Sequence, residues 1–185
     1  MSHVNKDVTS DAITVIERAR RVRVAAFDVD GILTDGRLYY TDSGEEIKAF
    51  SALDGHGIKM LRDSGIAVAI ITSRTSRVVE RRARDLGIEH LFQGVADKLD
   101  AMSGLLGQLG LDMQAASYMG DDVIDLPVLR RCGLAVSVPE ATAVVRTYAH
   151  HVTSAGGGRG AVREFSEWVM HAQGTLDAQL AEYLA

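Results

Sequence analysis

Val22-Arg23-Val24-Ala25-Ala26-Phe27-Asp28-Val29-Asp30-Gly31-Ile32-Leu33-Thr34 decides the fold of this chain. The part up to Phe27 is short, apolar and β-branched, and it stops at a turn signal, the pattern of a buried strand. Asp28 and Asp30 then place two carboxylates, one residue apart, at the carboxyl end of that strand. Gly31 permits a sharp turn that brings main-chain N–H groups close, and Thr34 closes the stretch. Crowded carboxylates repel and raise each other's pKa, so the arrangement is costly without a cation. Mg²⁺, which takes oxygen ligands and commonly keeps one or two carboxylates beside phosphate and water, suits it.

Outward from this strand, apolar segments alternate with amphipathic ones. A helix is predicted ahead of it, over about residues 10–20. After it, residues 36–40 and 46–50 flank Thr41-Asp42-Ser43-Gly44 and read as a β-hairpin. A helix follows from near Asp54 to Ser64, with Gly65 just past its end. Ile66 to Ile71 is a second buried strand, and Ser76 to Leu86 a helix stopped by Gly87. Leu91 to Gln93 is a short third strand. Asp97 caps a helix carrying Met102, Leu105, Leu106 and Leu109 on one face and stopped by Gly110. Ala115 to Met119 and Gly133 to Val136 are further strands, with a helix start beside Pro127 between them. The glycine-rich stretch 156–160 precedes a last helix over about residues 161–173. Strands alternating with helices predict an α/β fold, a doubly wound, Rossmann-like parallel sheet with helices on both faces. The whole chain, 1–185, reads as one domain with a protruding hairpin (about 36–50), a C-terminal lid or tail (about 155–185) and no cap domain.

Composition narrows the possibilities. At 185 residues and 46% hydrophobic content, the chain is long and apolar enough to bury a core. A net charge of −5 with no basic run argues against nucleic acid as a partner. Cys132 is the only cysteine, which fits a reducing compartment. The polar segment 1–11 lacks a signal-peptide core, and no apolar run approaches the roughly 20 residues that cross a bilayer. The expectation is a cytoplasmic protein with no membrane partner.

In doubly wound folds ligands bind outside the carboxyl ends of the strands. Strand one ends in Asp28 and Asp30, and strand two in Thr72, followed by Ser73 and Arg74. Lys98 opens the helix after strand three. Strand four ends in Gly120-Asp121-Asp122, with Asp125 close behind. Each type has a task in hydrolysing a phosphate monoester. One carboxylate attacks phosphorus, and a second carboxyl protonates the leaving alcohol and then activates water. A hydroxyl and an ammonium hold the phosphoryl oxygens, and Mg²⁺ neutralises the acidic site.

These residues resemble the haloacid dehalogenase superfamily of aspartyl phosphatases, with its four motifs in order. The resemblance implies Asp28 as nucleophile and Asp30 as general acid/base, also offering its main-chain carbonyl to Mg²⁺. It implies Thr72 and Lys98 as phosphoryl ligands, and Asp121 as completing the metal site with Asp28 and Asp30. A narrower resemblance runs through FDVDGILTDG (27–36), FSALDGHGIKML (50–61), IITSR (70–74), GDDVIDLPVL (120–129) and AGGGRGAVRE (155–164). It is to the capless 3-deoxy-D-manno-octulosonate-8-phosphate phosphatase family, in which Ser73 is more often glycine. That resemblance implies a phosphorylated sugar acid as substrate and a homotetramer in which hairpin and neighbouring C-terminal segment help close the site. It also assigns the stretch with Ser51, Asp54, Gly55 and Lys59 to substrate contact.

Plainer readings exist for each residue. Asp28 and Asp30 alone would be a solvated turn, Asp121 a helix cap, and Lys98 a surface lysine. Asp122 and Asp125 either orient Lys98 and metal-bound water or merely begin a helix. Asp54 serves equally as an N-cap. Arg74 is placed to reach a second anionic group, such as a sugar-acid carboxylate, through its planar fork. Arg82 either joins it or forms a surface salt bridge. Lys48 and Arg159 add positive potential; residues 156–160 are either an inert flexible link or a mobile lid that carries Arg159 to an anionic ligand, the reading favoured here. Leu38, Tyr39, Tyr40, Ile47 and Phe50 put apolar groups on both faces of a ribbon that is marginal alone, which points to another subunit. The competing functions are a phosphatase for a nine-carbon ulosonate phosphate or another sugar phosphate, a phospho-receiver domain, and a non-catalytic scaffold homologue.

Overall fold

The computed structural model describes residues 13–184. In chain order the elements are α1 (Val15–Arg21), β1 (Val24–Phe27), β2 (Tyr39–Tyr40), β3 (Glu46–Ile47), α2 (Ala52–Asp63), β4 (Ala67–Ile71), α3 (Arg77–Leu86) and β5 (His90–Phe92). They continue with α4 (Lys98–Leu109), β6 (Ala116–Met119), α5 (Leu126–Leu129), β7 (Leu134–Ser137), α6 (Ala143–Tyr148), β8 (His151–Val152), α7 (Ala161–Gln173) and α8 (Leu176–Leu184). Part of the helix predicted ahead of β1, residues 10–12, lies outside the described residues.

Six strands form one parallel sheet in the order β5-β4-β1-β6-β7-β8. Numbered along the chain without the hairpin, that order is 3-2-1-4-5-6, the Rossmann arrangement, and it differs from the 2-1-3-4-5 order of receiver-type folds. Right-handed crossovers then put α2 and α3 on one face and α4, α5 and α6 on the other. α7 returns to the first face, where it packs on α2 and α1. β1 is central and wholly buried, and Phe27 meets Phe165 of α7 edge to face, with ring centroids 5.7 Å apart. Its register pairs Phe27 with Ile70 on one side and Met119 on the other. The residues just beyond β1, β4 and β6 therefore emerge side by side, where strand order reverses.

Several expectations are revised. Ser51, not Asp54, caps α2: the Ser51 hydroxyl accepts from the Asp54 amide at 3.2 Å. α6, β8 and α8 are additional to the elements read from the sequence. The hairpin strands have two residues each, with Leu38, Tyr39, Tyr40 and Ile47 exposed. Phe50 is not part of that ribbon surface; it packs on the core beneath the Arg82 guanidinium. No helix among the described residues is long and apolar enough to cross a membrane.

Candidate active site

β1 delivers Asp28 to the sheet's carboxyl edge, where its main-chain N–H still pairs with Met119 O of β6 at 3.0 Å. The chain then leaves regular geometry. Gly31 adopts φ +93°, and a Cβ there would lie 2.1 Å from Asp121 Oδ2. Only glycine lets the loop pass this close to the β6 carboxylate. Thr34 supports the same loop, its hydroxyl donating to Val29 O at 3.4 Å and accepting from Gly36 N at 3.3 Å.

Lys98 opens α4 behind the Asp97 cap, and its side chain is only 2% exposed. Its ammonium lies 2.9 Å from Asp28 Oδ1 and 2.6 Å from Asp125 Oδ1. Asp125 is fully buried yet fully partnered: Oδ1 also accepts from the Tyr118 hydroxyl at 2.8 Å, and Oδ2 accepts from the amides of Asp121 and Asp122, each at 3.1 Å. Asp125 thus orients Lys98 and the β6 loop together. Asp122 caps the short turn over residues 123–125.

Asp28, Asp121 and Asp125 each offer a carboxylate oxygen within 4.8 Å of the others. Asp125 is already occupied by four donors, whereas Asp121 Oδ1 is buried without a partner. The donor set open to a hard divalent cation is therefore Asp28 with Asp121. The electrostatics agree. Burial first, then the Asp125 charge, raises Asp28 to about 6 against the opposing pull of Lys98. Burial, then Asp28 and Asp125, raises Asp121 to about 7. Burial would pull the Lys98 ammonium down, but Asp28 and Asp125 outweigh it and push it up.

A cleft of about 280 Å³ opens on this group. Asp28, Asp30, Thr72, Ser73, Arg74 and Asp121 line it, with Leu38 and Ile124 as apolar lining. Asp30 is held by two cations, Lys48 Nζ on Oδ1 and Arg74 Nε at 3.5 Å from Oδ2. Glu46 bridges the same pair, 3.3 Å from Lys48 Nζ and 2.9 Å from Arg74 Nη2. Hydrogen bonds with Tyr40 and Glu46 push the Arg74 guanidinium above its ordinary value.

The structure separates other candidates from this cleft. Arg82 does not join Arg74; it donates to Ser51 O at 3.0 Å and covers Phe50 and Gly55 at the seam of α2 and α3. Exposed Lys59 lies along that seam. The Asp54 carboxylate is buried and turned toward the start of α7. Arg159 borders a second polar cavity of about 290 Å³, which shares Asp121 with the cleft. In this structure the loop carrying Arg159 is closed down, with Gly158 N bonding Ile32 O at 2.9 Å and both flanks tied to side chains. Two site residues escaped the sequence reading. Glu46 sits in an exposed hairpin with no local signal, whereas Tyr118 stands in a wholly buried strand, where its hydroxyl needs a partner.

Residues 37–138 match the profile of the haloacid dehalogenase-like hydrolases. Escherichia coli (strain K12) 3-deoxy-D-manno-octulosonate 8-phosphate phosphatase KdsC is 47% identical over 163 residues, covering 88% of this chain and 87% of the relative. The chain belongs to the haloacid dehalogenase-like hydrolase family. A 163-residue span necessarily includes every residue of this hydrolase from Asp28 to Asp125. Among solved structures, the Moraxella catarrhalis 3-deoxy-D-manno-octulosonate 8-phosphate phosphatase, with magnesium, phosphate and KDO bound, superposes on the hydrolase with a TM-score of 0.90. The two are 43% identical over 91% of this chain and 97% of that one. The cobalt-bound Haemophilus influenzae phosphatase matches at a TM-score of 0.84 and 41% identity, covering 87% of this chain and 94% of its own. The six-stranded sheet of this hydrolase is thus the fold of phosphatases that carry a divalent metal.

Proposed function

We propose that this hydrolase is a Mg²⁺-dependent phosphatase that converts 3-deoxy-D-manno-octulosonate 8-phosphate to the free keto-sugar acid and inorganic phosphate. The reaction passes through an aspartyl-phosphate intermediate and contributes to lipopolysaccharide precursor biosynthesis in the cytoplasm. The observation that carries this reading is the buried Asp28 carboxylate beside Lys98, open to a cleft with Arg74 on its wall. The E. coli and Moraxella relatives support the choice of substrate.

Asp28 attacks phosphorus as the phosphorus–oxygen bond to the sugar breaks, and the Asp30 carboxyl gives its proton to the departing oxygen. Asp30 then takes a proton from water as that water attacks the acyl phosphate, which frees phosphate and restores Asp28. The Thr72 hydroxyl and the Lys98 ammonium hold the equatorial phosphoryl oxygens, where charge concentrates. Asp125 keeps Lys98 in place through their 2.6 Å contact. Mg²⁺ held by Asp28, Asp121 and the Asp30 main-chain carbonyl supplies positive charge against the crowded carboxylates and the phosphoryl group. Arg74 receives the sugar-acid carboxylate through its fork. The exposed ribbon of Leu38, Tyr39, Tyr40 and Ile47 supports assembly into a homotetramer.

The test is phosphate release over phosphorylated ulosonates, aldoses and nucleotides, with and without a chelator. The eight-carbon ulosonate is expected to have the highest kcat/KM, and the chelator to abolish turnover. Preference for a nine-carbon ulosonate would move the substrate assignment, and activity on nucleotides alone would overturn it.

A further inference from the structure

We infer that Asp54 is a positioning residue for the Asp28–Thr34 loop, acting through the glycine-rich segment 156–160 as a fixed brace. This deepens the phosphatase reading and rests on it for its kinetic arm alone. Asp54 belongs to the first turn of α2, but its buried carboxylate reaches across to the start of α7. It accepts from Gly160 N at 3.2 Å and from Arg163 N at 2.8 Å. α7 has no side-chain cap of its own at this end, so Asp54 supplies one from another helix. A carboxylate there also suits the helix dipole.

The brace is secured at its other end too. Glu164, one turn into α7, accepts from Ser154 N at 2.8 Å and from Ala155 N at 2.8 Å. Between these two anchors the chain lies flat on the catalytic loop. A Cβ on Gly157 would lie 1.8 Å from the Gly31 carbonyl oxygen, and one on Gly158 would lie 2.6 Å from the Thr34 carbonyl carbon. Gly158 N donates to Ile32 O at 2.9 Å. The loop that turns Asp30 into the cleft departs from helical geometry at Asp30 and Gly31, and its own closure is Thr34 bonding Val29 O through its main-chain N–H at 3.0 Å and its hydroxyl at 3.4 Å. Backbone pressed against it, and tied down by Asp54, adds support that a lone turn lacks. The same contact explains the glycines at 157 and 158: no side chain fits between the two backbones.

Asp54→Asn preserves shape while turning one acceptor oxygen into a donor facing a main-chain N–H, and Gly157→Ala forces the brace off the loop without touching α2. Three readouts apply, at a temperature where circular dichroism shows each variant folded. Hydrogen exchange on metal-free protein should show slow exchange at Gly158, Gly160 and Arg163 in the wild type. It should show faster exchange across residues 29–34 in both variants. Phosphate release should show kcat down about tenfold or more, with KM within about twofold, because small displacements of reacting groups cost turnover before affinity. A raised KM with unchanged kcat would make Asp54 a substrate contact and overturn the proposal. So would a lower Tm with neither kcat nor exchange at 29–34 altered, or wild-type exchange at Gly158 and Gly160 as fast as in an open chain. Should the wild type hydrolyse no phosphorylated sugar acid, the phosphatase reading fails while the exchange comparison still decides the brace.

Discussion

Asp125 shows at the scale of one residue what a buried carboxylate requires. Fully removed from solvent, it is saturated by Lys98, Tyr118 and two main-chain amides, so its burial is compensated. Asp28, which faces Lys98 alone among side-chain donors at 2.9 Å, and Asp121, whose Oδ1 has no partner, are not saturated in this way. Burial and neighbouring carboxylates raise them to about 6 and about 7, which suits a cation site. Asp28→Asn should therefore lower turnover by at least about a thousandfold without lowering Tm, since the amide removes a penalised charge. Appreciable residual phosphate release would exclude Asp28 as nucleophile. Tyr118→Phe keeps the ring and deletes one donor to a charged acceptor, which should cost about 1.5–3 kcal/mol in a denaturant titration and weaken phosphate binding as Lys98 shifts. An unchanged midpoint would mean that Asp125 does not need this hydroxyl. The acids and Lys98 were legible in the sequence because type and spacing carry their chemistry. Tyr118 was not, because a strand tyrosine is ordinarily read as apolar filling.

Among the elements, long periodic segments were legible and short ones were not. The boundaries of α7 agree with the pattern over 161–173, whereas two-residue β8 and six-residue α6 are too brief for any period to emerge. The start of α2 was misjudged for a different reason. Ser51 and Asp54 are both capping types, and only the packing of α2 against α7 shows that the aspartate is used on the other helix. The hairpin is the instructive case. Two strands of two residues do not hold together in water by themselves, and here Glu46 bridges Lys48 and Arg74 over Asp30. Ion pairs thus fasten the ribbon to Asp30. Glu46→Ala should release it, seen as faster proteolytic cleavage within residues 41–44 and a fall in kcat/KM of about tenfold. Cleavage and kinetics that both match the wild type would show that the ribbon is held by something other than these charges.

For the molecule as a whole, the same uncompensated charges link stability, metal and pH. Folded-state values of about 6 for Asp28 and about 7 for Asp121 lie above the usual carboxylate value near 4 of an unfolded chain. Between about pH 4 and 7 these two carboxyls hold more protons in the folded protein than in the unfolded one, so their contribution to stability falls as pH rises through that window, against a smaller opposing contribution from His150, whose imidazole burial pushes down. Lys98, pushed upward, stays charged throughout and adds no slope there. Mg²⁺ has the opposite preference, because it needs both carboxylates without protons. In chelator, the Tm of the metal-free protein should decline from pH 5.5 to pH 8. The increase in Tm on adding Mg²⁺ should grow over the same range, since ligand binding to the folded state adds stability in proportion to its affinity. Asp121→Asn should flatten both trends, as it removes the higher of the two titrations and one ligand oxygen together. A Mg²⁺-induced shift of equal size at pH 5.5 and pH 8 would mean that the ion binds without displacing protons from this pair, and the metal would have to be sought elsewhere on the surface.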